Sequence, residues 1–190
     1  MNLYADSEKA LWLNPNTFHL KKNIIDKIYD DGAAIMEHIK TTDFFKQTTI
    51  TFQNQKISKG ENYTGLPWVM LDFPCIFGAE HIFAFRVFFY WGKEINCFLI
   101  LKGNYLNQFL ETIKRNISTS DFNDVLIYNG NNLWQHHIDE NFIPLPSNTE
   151  IDELAKQQFL KFAIQINAEE IENIFSLGCN AWQVYSKLLS

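Results

Sequence analysis

The chain has 190 residues, 46% of them hydrophobic and 15% aromatic, with 20% charged and a formal net charge of −6. This composition excludes a disordered chain and predicts one domain, residues 1–190, with a substantial aromatic-rich core. Basic residues are scattered, with Lys21-Lys22 and Lys114-Arg115 the only adjacent pairs. No phosphate-neutralising stripe is present, so nucleic acid is not an expected partner.

At the N-terminus, Asp6 or Ser7 is a candidate cap for a short helix through Leu13, ended by Asn14-Pro15. A second helix is predicted from Asn16-Thr17. It carries Phe18, Ile25, Ile28, Ile35, Met36 and Ile39 at helical spacing, with Gly32 as its weak point. Thr49-Ile50-Thr51-Phe52 reads as a strand and the polar stretch from Gln53 to Thr64 as a loop. Trp68 to Phe73 is a strand closed by Pro74. The runs 82–91 and 95–101 form a hairpin across Gly92-Lys93.

Leu106, Phe109, Leu110, Ile113 and Ile117 mark an amphipathic helix. Val125–Tyr128 and Leu133–His136 flank Asn129-Gly130-Asn131-Asn132, the pattern of a second hairpin. From Asn148-Thr149 the chain reads as helix to its end, with a break near Asn167. The stripe Ile171, Ile174, Phe175, Gly178, Trp182, Tyr185 and Leu189, widened by Leu177, Val184 and Leu188, predicts a final helix. It packs on the sheet or pairs with a second copy, so the expected state is monomer or homodimer. The expected fold is α+β: a central antiparallel sheet of hairpins with N-terminal and C-terminal helices packed on it.

Cys75, Cys97 and Cys179 are far apart in apolar sequence, and no CxxC occurs. They suit a reducing compartment and suggest neither zinc nor redox chemistry. The N-terminus has no signal-peptide pattern, and the longest apolar run is too short for a bilayer. The expectation is a cytoplasmic protein with no membrane partner.

The most informative residue is Arg86, one of two arginines, set inside Ile82-Phe83-Ala84-Phe85-Arg86-Val87-Phe88-Phe89-Tyr90-Trp91. A guanidinium stays charged when buried and so needs carboxylates, carbonyls or an anionic ligand. Strand alternation gives Phe83, Phe85, Val87, Phe89 and Trp91 a core face and turns Arg86 to the other. A two- or four-residue hairpin loop sets Arg86 opposite Leu99; a three-residue loop sets it opposite Phe98. Both neighbours are apolar, which predicts a strand pair sandwiched by helices with Arg86 at least half buried. Asp72, sharing a face with Trp68 and Met70, is the first-choice partner, followed by Glu61 and Glu80. Two readings stay open: an Arg–Asp pair that sets register, and an anchor for a ligand carboxylate or phosphate.

The segment Ile57–Trp68 concentrates Lys59, Glu61 and Tyr63 between glycines, ahead of the buried strands. Gly60-Glu61-Asn62-Tyr63-Thr64-Gly65-Leu66-Pro67-Trp68, Leu71-Asp72-Phe73-Pro74, Ile82-Phe83-Ala84-Phe85-Arg86 and Phe89-Tyr90-Trp91-Gly92 resemble the signature block of an uncharacterised family of small bacterial proteins. The resemblance covers roughly residues 57–103. It implies no assigned activity. Members of that family often carry a basic residue where this chain has Cys75, which weakens an anion site here.

No GxGxxG, phosphate-binding loop, Gly-x-Ser-x-Gly or other cofactor motif is present. His136-His137 on a strand point to opposite faces and cannot share a metal without a bulge, so no metal site is expected. The predicted hairpin register instead sets His137 opposite Asp124. His19, His38 and His81 read as surface or boundary residues. The leading expectation is a non-catalytic binding or interaction module with a small pocket near Arg86 for an anionic ligand or a protein partner. The alternative is an enzyme on a small anionic substrate, with Arg86 as anchor assisted by Lys59, and Glu61, Asp72 or Tyr63 available for acid–base work.

Overall fold

The computed structural model describes residues 3–48, 50, 55–118 and 122–190. Helices α1 (Asp6–Trp12), α2 (Pro15–Lys40) and α3 (Asp43–Gln47) come first. Strands β1 (Lys56–Tyr63), β2 (Leu66–Phe77), β3 (Ile82–Tyr90) and β4 (Glu94–Lys102) follow as a meander. Then come α4 (Asn104–Ile117), β5 (Leu126–Tyr128), β6 (Phe142–Pro144), α5 (Asn148–Ala155), β7 (Phe159–Asn167), a 3-10 segment (Ala168–Asn173) and α6 (Ile174–Leu189). The strands form one antiparallel sheet in the order β1-β2-β3-β4-β7-β5-β6, with N- and C-terminal helices packed on it. The α+β expectation holds.

Pro15 is the first residue of α2 and Asn14 its cap, the Asn14 side chain accepting from the Asn16 N–H. This is the position where proline's missing donor costs nothing. Gly32 is no weak point. An added Cβ there would lie 2.5 Å from Leu71 Cδ1, so the glycine lets α2 sit close on β2. The α6 stripe is spent inside the protein: Trp182, Tyr185 and Leu188 are fully buried against the sheet and helices. Of the same stripe, Ile171 and Phe175 stay exposed and Leu177 and Val184 half-buried.

Four expectations change. The polar stretch before Tyr63 is mostly strand, not loop. β1 is an edge strand paired with β2 across a turn at Thr64-Gly65, both with positive φ. No residue of this edge strand is buried, so its two faces differ too little to leave a strand period in the sequence, while the Thr-Gly turn was the readable signal. β2 does not stop at Pro74; it continues to Phe77 through a cis Phe73–Pro74 bond and a register shift between Asp72 and Cys75. The expected strand 49–52 lies outside the described residues, apart from Ile50.

The third change is β7, read from sequence as helix. It lies between β4 and β5, covered on both faces. Such a strand shows a near-continuous apolar run rather than alternation, and a short run of that kind does not distinguish strand from helix. The fourth is the second hairpin. β5 pairs with β6 through Leu126↔Pro144, Ile127↔Ile143 and Tyr128↔Phe142. Residues 129–141 thus become an excursion, and the His137–Asp124 pairing does not form.

That excursion replaces a predicted layer. Helices cover only the face of Phe83, Phe85, Val87 and Phe89. The opposite face, with Ala84, Phe88, Phe98 and Ile100, is closed by the strap 129–141 through Leu133, His136 and Ile138.

Candidate functional site

The three-residue loop 91–93 places Tyr90 opposite Glu94 and Arg86 opposite Phe98. On its other side Arg86 stands directly opposite Asp72. The two side chains meet in a bidentate pair, Arg86 Nε donating to Asp72 Oδ1 at 2.6 Å and Nη2 to Oδ2 at 3.1 Å. Asp72 is 1% exposed and Arg86 3%. The guanidinium carbon lies 5.2 Å from the Phe77 ring centre and 5.6 Å from that of Trp134. Arg86 Nη1 donates to His136 Nε2 at 3.2 Å.

That last bond sets the histidine's state. An imidazole accepting at Nε2 is neutral and carries its proton on Nδ1. Burial, reinforced by Lys161, Arg86 and His137, pushes the His136 pKa down to about 2. His136 Nδ1 is buried without a partner among the described residues.

Lys161 is a second buried cation, with 0% exposure and, among the described residues, no ion pair to a carboxylate. It projects from β7 with Nζ 4.2 Å from the Phe98 ring centre. It donates to the Leu133 carbonyl at 3.2 Å and to that of Gln135. Burial first, then the nearby Arg86 charge, hold its pKa well below the ordinary lysine range.

The remaining sheet side chains also reach the strap. The Tyr63 hydroxyl accepts from the His136 N–H at 2.8 Å and donates to His137 Nδ1 at 2.9 Å. Burial raises the Tyr63 pKa, keeping the hydroxyl protonated. Asn96 Nδ2 donates to the His136 carbonyl at 3.1 Å and to Glu94 Oε1 at 2.8 Å, which also accepts from the Ile138 N–H. One strap is thus pinned by polar chains from β1, β3, β4 and β7. Three of the five guanidinium N–H groups of Arg86 meet protein acceptors, two on Asp72 and one on His136.

Of the five candidate residues, the fold gathers Arg86, Asp72 and Tyr63. Lys59 and Glu61 are elsewhere. Lys59 stands opposite Val69, a residue of the helix-side core, at the exposed sheet edge, and Glu61 pairs with Lys21 of α2. Neither assists Arg86. The expected small pocket near Arg86 is filled by Phe77, Trp134 and His136. Cavities of about 710 and 690 Å³ lie instead beside α6, one bordered by Asp124 and Ile166, the other by Thr42 and Asn180. The thiols are also sealed: burial raises Cys75 to about 11 and Cys97 to about 12.

His136 and Lys161 are the residues that sequence reasoning missed. The signal for Lys161 was the one that exposed Arg86, a charge within Phe159–Ile166. On a presumed helix that lysine had a solvent side to turn to; on a two-sided buried strand it has none. Comparison with protein families, characterised proteins and solved structures gives no match.

Proposed function

We propose that this protein is a non-catalytic interaction module in which the Arg86 cluster fastens a strap over the sheet. One observation carries the reading: the Arg86 guanidinium is already occupied by Asp72 and His136, at 3% exposure. An anion would have to displace a bidentate carboxylate and lift the strap. The enzyme alternative also lacks its assembly, because Lys59 and Glu61 face away from Arg86 and Asp72. Free, buried thiols suit work in a reducing compartment such as the cytoplasm. Among the described residues no helix is long and apolar enough to cross a membrane.

Thermal unfolding against phosphate, nucleotides and dicarboxylates tests this. A ligand at a hundred times its Kd stabilises by about 2.7 kcal/mol, or roughly 5–11 °C for a chain of this size. The expected result is no shift in the wild type. A shift that disappears in a folded Arg86→Met variant would restore the ligand-anchor reading.

A further inference from the structure

The strap is built as a unit that can lift while the sheet stays intact. Residues 129–141 contain no helix or strand, and their ends are joined by the Asn129 N–H donating to the Asn141 carbonyl at 2.7 Å. A closed excursion of this kind is an Ω-loop, which spans about 6–16 residues and packs by its own side chains. β5 and β6 hold its base by pairing with each other. Its tip is held by side-chain bonds instead of a ladder. The His136 N–H donates to the Tyr63 hydroxyl at 2.8 Å, the Ile138 N–H to Glu94 at 2.8 Å, and the His136 ring accepts from Arg86. A loop held in this way opens locally, at a free energy below that of global unfolding.

The bond on the His136 ring is one that a proton destroys. Nε2 accepts from Arg86 Nη1 at 3.2 Å, and a protonated imidazole has two donors and no acceptor. Two N–H groups would then face each other, with His136 only 9% exposed. Among the described residues no carboxylate is bonded to the ring to offset the added charge. Asp72 of β2 is bonded to Arg86, Glu94 of β4 to Asn96 and the Ile138 N–H, and Asp139 of the strap to Gln135 and Asn141. Arg86 of β3 and Lys161 of β7 bring positive charge, and Tyr63 of β1 stays a neutral hydroxyl.

From this geometry we propose that the strap is an acid-released cover: a proton on His136 frees residues 133–138 from the sheet and bares the face of Ala84, Phe88, Phe98 and Ile100. This release presupposes the reading of the Arg86 cluster as the strap's fastening and adds the signal that undoes it. Burial, with the nearby charges of Lys161, Arg86 and His137, holds the ring at a pKa of about 2 while the strap is down. Lifted into water, the ring regains the ordinary value of about 6.5. The lifted state therefore binds more protons and gains population as pH falls, by about 25-fold between pH 7 and pH 5. Lys161 acts in the opposite sense. It donates to the Leu133 and Gln135 carbonyls, so a proton gained there tightens the strap.

The experiment is amide hydrogen exchange on the full chain, read residue by residue by NMR at pH 7 and pH 5. After correction for the intrinsic pH dependence of exchange, protection at the His136 and Ile138 N–H groups should fall about 25-fold. The Asn129 N–H at the strap's base should stay more protected than either at both pH values. His136→Gln keeps an acceptor for Arg86 and has no titrating ring, so its pH response should vanish. His137, whose Nδ1 accepts from Tyr63, is the neighbouring titratable ring, and His137→Gln should keep the full response. A pH-independent strap overturns the proposal, as does a response that survives in His136→Gln or disappears only in His137→Gln. Protection at Asn129 that falls to the level of Ile138 overturns it too, because β5 and β6 would then be separating. Should His136→Gln fail to fold, the wild-type comparison of Ile138 with Asn129 and the His137→Gln response still decide. A strap insensitive to pH leaves the interaction-module reading standing, whereas an anion-induced Tm shift overturns that reading and leaves the exchange pattern as measured.

Discussion

Removing the Asp72 carboxylate is the most direct test of how the strap is held. In Asp72→Asn the side chain keeps its shape while the buried guanidinium loses its counter-charge. Arg86 at 3% exposure has no water to turn to, and His136 Nε2 is its one other hydrogen-bond acceptor on the strap. Breaking one side of a buried pair costs about 3–5 kcal/mol. At about 2–4 °C per kcal/mol for this chain length, Tm should drop by roughly 6–20 °C. Urea unfolding should show a lower midpoint at unchanged slope, since the surface exposed on unfolding is the same. The double variant Asp72→Leu with Arg86→Met should recover most of the loss, because no charge is then left buried. That recovery separates a charge effect from a packing effect. Hydrogen exchange should accelerate at residues 133–138 in the single variant, where the Arg86–His136 contact seats the strap. A loss below about 1 kcal/mol in Asp72→Asn would refute the reasoning.

Two further outcomes follow from the same geometry. His136 has a folded pKa of about 2 against an ordinary value of 6.5, so the folded state binds fewer protons than the unfolded one. Its contribution is therefore full above pH 6.5 and lost as pH falls below it. Between pH 6.5 and 5 the loss is about 2 kcal/mol at 1.36 kcal/mol per unit. Urea midpoints at pH 7 and 5 should differ more in wild type than in His136→Phe, and equal differences would remove His136 as the cause. Glu61→Gln breaks only the exposed ion pair with Lys21, so its stability should change by less than about 0.5 kcal/mol in urea titration. A larger loss would return Glu61 to the functional candidates.

Local chemistry determined much of this protein before any contact was known. Alternation along Ile82–Tyr90 separated the faces of β3, set Arg86 on the face opposite Phe83, Phe85, Val87 and Phe89, and made Asp72 its first-choice partner. These are short-range consequences of the strand period. Helical spacing likewise marked the buried residues of α2 from Ile25 onward and those of α4. Tertiary structure decided the rest. Whether the strand pair was sandwiched by helices depended on the strap, whose path follows from β5 pairing with β6 and β7 rather than with Leu133–His136. The separation of Glu61 from Asp72 depended on the β1–β2 register and on the side of the sheet where α2 packs, where Glu61 meets Lys21. The burial of His136 and Lys161 beside Arg86 was not legible for one reason: a side chain's burial depends on what lies across from it. For Lys161 that is a strap distant in sequence, and for β7 it is a second covered face. Periodicity records a segment with one wet side and one dry side; where both sides are dry, only the assembled sheet distinguishes a strand from a helix.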